Sequence, residues 1–94
     1  MKLKISRRFS EKLNAQVRHI AQDKPGAARK FKTDIIQQIR EIPNMPFRHR
    51  KSIFFDQEEI RELVFKGYLV VYRINQKQKE IEVFGFVKYE ENPL

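Results

Sequence analysis

The stretch IRELVFKGYLVVYRI, residues 60–74, decides the fold. It is rich in Val, Ile, Phe and Tyr, side chains that suit a pleated, half-buried surface. Lys66-Gly67 interrupts it where two antiparallel strands can reverse through a tight turn. A two-residue turn there pairs Phe65 with Tyr68 and Arg61 with Tyr72. Strand alternation then sends Arg61 to one face and Arg73, with Leu69 and Val71, to the other. Beyond the polar turn NQKQKE, the run KEIEVFGFVKY has the same composition and supplies a third strand. These strands form an antiparallel meander.

Upstream the pattern changes. KLKIS alternates at Leu3 and Ile5, a short first strand that joins the sheet. Phe9, Leu13, Val17 and Ile20 recur at helical spacing, and Ser6 or Ser10 can cap that helix. DKPG breaks it, with Asp23 available to cap the next helix. From Ala27 a second stripe runs through Ala28, Phe31, Ile35, Ile39 and Ile42, and Pro43 and Pro46 end it. Lys12, Arg18, Lys30, Lys32 and Arg40 fall on the opposite faces as solvated helix surface. The expected fold is α+β: an N-terminal strand, a helical hairpin, then a three-stranded antiparallel meander. It makes a single domain over residues 1–94 in two layers, with helices on one sheet face and the other face exposed.

Composition narrows the chemistry. Without cysteine there is no disulfide, thiolate nucleophile or cysteine-ligated zinc, and two histidines exclude a His-rich metal site. No phosphate-binding loop or glycine-rich dinucleotide motif occurs, so no cofactor is expected. The longest apolar run, YLVVY, is far below the roughly 20 residues that span a bilayer. The N-terminus, MKLKISRRFS, lacks an apolar signal core, so a cytoplasmic protein that begins here is expected. The dominant bulk property is charge: 20 Lys and Arg against 12 Asp and Glu, a net +8. Such an excess attracts nucleic acid, nucleoprotein or an acidic protein.

The basic residues concentrate in the second half. FRHRK places Arg48, His49, Arg50 and Lys51 in the segment leading into the sheet. Arg61, Lys66, Arg73 and Lys88 come next on the strands and the turn, with Tyr68, Tyr72 and Tyr89 among them. Cations interleaved with aromatic rings can hold phosphates while the rings stack on unpaired bases. Each residue alone has a plainer reading, as a flanking charge or a core tyrosine.

At these residues the chain resembles the RelE/ParE family of bacterial type II toxin–antitoxin toxins, over essentially its whole length. The combination of IREL, GY, VYRI and IEVFGFV after a helical hairpin carries the resemblance. It implies a small toxin of a plasmid stabilisation system, held inactive by a cognate antitoxin. RelE-like members enter the ribosome and cut mRNA without a metal, an endoribonuclease chemistry needing a base, a phosphate-binding cation and an acid. ParE-like members instead poison DNA gyrase.

The basic cluster makes Arg48, His49, Arg50, Lys51 and Lys66 the nucleic-acid-binding candidates, and the resemblance implies that Arg50 and Lys51 among them contact RNA or act in catalysis. Arg61, Arg73, Lys88 and Tyr89 become the catalytic candidates, with Tyr89 as leaving-group acid or stacking ring and Lys88 as phosphate clamp. One departure opposes this. Ribonuclease members carry arginine after the GY dipeptide, and Leu69 stands there; the ParE-like ending, roughly His-Gly-Arg-Arg, is absent too, with KYEENPL in its place. The expectation is an mRNA endoribonuclease acting with ribosome and mRNA, against a gyrase poison or a silent antitoxin-binding module.

Overall fold

In the computed structural model, which describes residues 1–89, the two expected layers are present. Strand β1 (Lys2–Ile5) leads into helix α1 (Arg7–Asp23), where Ser6 is the cap: extended at φ −68°, ψ 151°, its Oγ accepts the Phe9 N–H at 3.0 Å. Phe9 and Leu13 are buried and Val17 and Ile20 half-buried against the core. Helix α2 (Pro25–Glu41) begins two residues earlier than its apolar stripe. Asp23 does not cap it. Asp23 ends α1, and Lys24 alone joins the helices, with no side-chain cap. Pro25 makes this possible, because at the first helical position it has no N–H to satisfy. Ala28, Phe31, Ile35, Ile39 and Ile42 are all buried. A 3-10 turn (Ile42–Asn44) closes the helix at the prolines.

Among the described residues the sheet has five strands, one more than expected, in the order β1-β5-β4-β3-β2. The addition is β2 (Arg50–Lys51), which pairs Arg50 with Glu62 and Lys51 with Arg61 on β3 (Ile60–Phe65). Lys66 and Gly67 both have positive φ, 45° and 83°, as a two-residue hairpin turn of the primed type requires. Phe65 therefore faces Tyr68, and Arg61 faces Tyr72 on β4 (Tyr68–Asn75), the register expected from the turn. Strand β5 (Glu80–Lys88) returns antiparallel, and β1 adds beyond it in parallel, so β5 is an interior strand.

Between Val71 and Tyr72 the β4–β5 register slips: Val71 faces Gly85 and Tyr72 faces Val83. Phe84 is the extra residue of this bulge. Gly85 suits the close approach there, since an added Cβ would lie 3.0 Å from that of Val71.

The helices cover one face, where Leu63, Phe65, Val70, Tyr72, Ile74, Ile81, Val83 and Phe86 meet them. Tyr68 stacks on Phe86, centroids 5.0 Å apart, while Phe31 of α2 meets Tyr68 edge-on at 5.4 Å. The other face is open only in part, with Val64 exposed on it. Ile60, Glu62, Leu69 and Val71 on it are all buried. The segment following β2 folds over it, Ser52 reaching Glu62 and Phe55 the ring of Phe84.

Candidate functional site

The segment between α2 and β3 is held to the sheet edge by side chains of β3 and β4. Tyr72 donates its hydroxyl to the Pro46 carbonyl at 2.6 Å. Burial raises its pKa, so it stays a neutral donor. Arg61, on the helix side, donates to the carbonyls of Glu58 and His49 at 2.7 and 3.2 Å and to the Glu58 carboxylate at 2.9 Å. Its guanidinium also lies 5.0 Å from the centre of the Phe47 ring. With its donors spent on this segment, Arg61 is an anchor. His49 turns inward and meets Tyr72 edge-on at 6.1 Å, and its buried Nε2 has no hydrogen-bond partner. Burial first, and Arg48 second, lower its pKa.

On the outer face Arg50 donates to Glu62 Oε1 at 2.9 Å, and Ser52 Oγ donates to Oε2 at 3.1 Å. Glu62 is only 1% exposed. A buried carboxylate needs such partners, because its desolvation is otherwise costly. The same Arg50 guanidinium lies 5.7 Å from the centre of the Tyr89 ring. Neither Glu62 nor Ser52 was singled out by the sequence pattern. The one available signal was a carboxylate at an inward-reading position of an apolar run, opposite Val71.

The four catalytic candidates do not converge. Arg61 and Arg73 lie on opposite faces, as the turn implied. Arg73 sits over Phe84, 5.7 Å from the ring centre, four positions from Leu69 and so about 13 Å along the strand. Lys88 faces Tyr68 on the helix side. Tyr89, whose N–H donates to the Gly67 carbonyl at 2.7 Å, continues the ladder and faces outward beside Arg50. Adjacent in sequence, Lys88 and Tyr89 are divided by the sheet. Leu69 is fully buried on the outer face. Among the nucleic-acid-binding candidates, Lys51 pairs with Asp56 at 2.8 Å, Lys66 lies 3.9 Å from Asp34, and Arg48 is exposed. Of all nine residues, the structure brings Arg50 and Tyr89 face to face.

A second surface lies on the helical hairpin. Arg29, Lys32, Thr33, Ile36, Gln37 and Arg40 form one stripe of α2 and, with Val17 of α1, line a groove. Its floor is apolar, its rim carries three cations, and among the described residues no acid lines it. Lys32 and Arg40 are therefore part of a shaped surface and not merely solvated charges. Among the described residues no cluster of His, Asp or Glu could hold a metal ion, and no helix is long and apolar enough to cross a membrane.

Residues 3–93 match the family model described as the ParE toxin of the type II toxin–antitoxin system parDE. No curated protein is a significant match. Among solved structures, one from the chromosomal ParDE toxin–antitoxin system of P. aeruginosa superposes with a TM-score of 0.78 at 22% identity, covering 96% of this chain and 97% of that one. The isolated E. coli RelE toxin gives a TM-score of 0.58 at 16% identity, covering 98% and 87%. An E. coli RelE double mutant bound to a RelBc antitoxin peptide gives 0.57 at 12%, covering 96% and 84%.

Proposed function

Because the chain belongs to the ParE toxin family of type II toxin–antitoxin systems, we propose that this toxin acts by binding, as a gyrase poison of the ParE-like kind, and not as a nuclease. One observation carries the reading: the residues a nuclease would need are divided between the two sheet faces, with Lys88 and Arg61 on one side and Tyr89 and Arg73 on the other. Phosphoryl transfer requires its cation, base and acid within hydrogen-bond reach of one phosphate. An inhibitor by binding has no such requirement. Leu69, buried on the outer face, supports the same conclusion, since a leucine has no donor to offer a phosphate.

The antitoxin's docking surface, in this reading, is the hairpin groove. An amphipathic segment would lay apolar side chains over Val17 and Ile36 and set carboxylates against Arg29, Lys32 and Arg40.

Inducing the chain alone, then with its neighbouring open reading frame, tests the proposal. Growth arrest with DNA breakage, lost supercoiling and intact messages is the expected result, relieved by the neighbour. Cuts in translated messages with normal supercoiling would sink it. That second reading has one observation in its favour, the Arg50–Tyr89 contact on Leu69's side of the sheet. If mRNA is cut, Tyr89→Phe should slow cleavage by about tenfold or more, as expected for loss of a general acid. Cleavage at the wild-type rate would remove Tyr89 from that mechanism.

A further inference from the structure

Three consecutive large apolar residues stand exposed on the outer side of the sheet: Ile53 at 56%, Phe54 at 51% and Phe55 at 36%. In a chain where a third of the residues are charged, such a patch marks an interaction surface more often than an accident of packing. The loop that carries it is firmly built. Lys51 Nζ and Asp56 Oδ1, 2.8 Å apart, close its base. Ser52 Oγ accepts the Phe54 N–H at 3.2 Å while donating to Glu62, and the Ser52 N–H bonds to the Ile60 carbonyl at 2.9 Å. Glu62 is fixed in turn by Arg50. The buried carboxylate thus fastens the loop to the central sheet, so the tip loses little conformational freedom when a partner meets it.

Beside the tip lies a hollow of about 470 Å³, floored by Val71, Gly85 and Val87 and walled by Phe54, Phe55 and Phe84. Gly85, without a side chain, keeps the floor low. Arg8 stands at its rim, and among the described residues no acid lines it. Among the described residues Arg8 has no ion-pair partner. The surface therefore offers an apolar projection, an apolar recess and one available guanidinium within a single patch. It faces away from the hairpin groove.

We propose that the 53–55 tip and the recess beside it dock an acidic, apolar segment of the protein on which this toxin acts, the segment's large side chain entering the recess and its carboxylate meeting Arg8. The inference rests on the reading that the toxin acts by binding, and it adds where and to what chemistry. An aromatic and aliphatic anchor set of this kind, held rigid and flanked by charge, has the make-up of an interface hot spot.

Two variants test it: the double substitution Ile53→Ser with Phe54→Ser, and Arg8→Glu. These side chains are exposed, so both variants should keep the wild-type thermal unfolding curve. The double variant should abolish growth arrest and weaken binding to purified DNA gyrase at least tenfold. Arg8→Glu should weaken it several-fold, with the difference shrinking at high salt. If both folded variants arrest growth like the wild type, the docking surface is wrong, whatever the target. If they lose antitoxin binding and keep toxicity, the patch belongs to the antitoxin and the proposal falls. If the wild type arrests growth without touching gyrase while the tip variant does not arrest it, the gyrase reading fails and this surface stands. A wild-type chain that leaves growth unimpaired overturns both.

Discussion

At the scale of single residues, the structure separates charges that resemble one another in the sequence. Arg61 and Arg73 could be assigned to opposite faces from the Lys66-Gly67 turn alone, because the register is set by the turn length. The burial of Glu62 could not be read this way. Its place opposite Val71 was the one hint, because its partners Arg50 and Ser52 lie ten or more positions away in a segment without a strand period. His49 gives the residue-scale prediction. Its pKa is lowered from the ordinary 6.5, by burial first and by Arg48 second. Between that lowered value and 6.5 the unfolded chain binds more protons than the folded one, so stability falls as pH drops through the window. Urea midpoints measured from pH 7.5 to 5.5 should decline for the wild type and flatten in His49→Gln. An unchanged slope in His49→Gln would mean that another group governs acid sensitivity.

Among the elements, those with a long apolar period were legible and those without one were not. Both helices announced themselves through stripes of four and five apolar residues. Strand β2 has two residues, too few for any alternation to show, and the bulge at Phe84 is a register event that composition does not record. The helix junction misled for a physical reason: Pro25 starts α2 without a cap, so Asp23 was free to finish α1. The turn of the β3–β4 hairpin carries a testable cost. Lys66 holds φ at 45°, which a side chain with a Cβ adopts at an expense of about 1 kcal/mol. Asparagine tolerates that conformation better, and the pairing of Lys66 with Asp34, at 3.9 Å, is loose. Lys66→Asn should therefore raise stability by about 0.5 kcal/mol. Gly67→Ala, at φ 83°, should lower it by about 1 kcal/mol or more. Thermal or urea unfolding of the two variants checks the signs.

For the whole molecule, composition and order of elements were enough to expect two α+β layers, and the positive charge was evident from a count. Where the charge gathers needed the fold, since Arg29, Lys32 and Arg40 flank a groove only once α1 supplies Val17 beside them. If that groove takes an acidic antitoxin segment, association should be electrostatically steered. The on-rate should fall as salt rises, and a variant with all three cations changed to glutamine should associate about tenfold more slowly at low salt, with the gap narrowing at high salt. Stopped-flow mixing with the purified antitoxin measures both. A salt-independent rate would place the antitoxin elsewhere. The parallel pairing of β1 with β5 was likewise beyond local reading, because the two strands are separated by some 75 positions. That pairing governs how the toxin is born. Strand β5, which carries Ile81, Val83 and Phe86 into the core, sits between β1 and β4 and is the last of the five strands to leave the ribosome. The first strand has no neighbour in the sheet until then, because β5 is the strand it pairs with. The sheet of each new molecule thus stays in two parts, β1 apart from β4, β3 and β2, until that strand has emerged to join them.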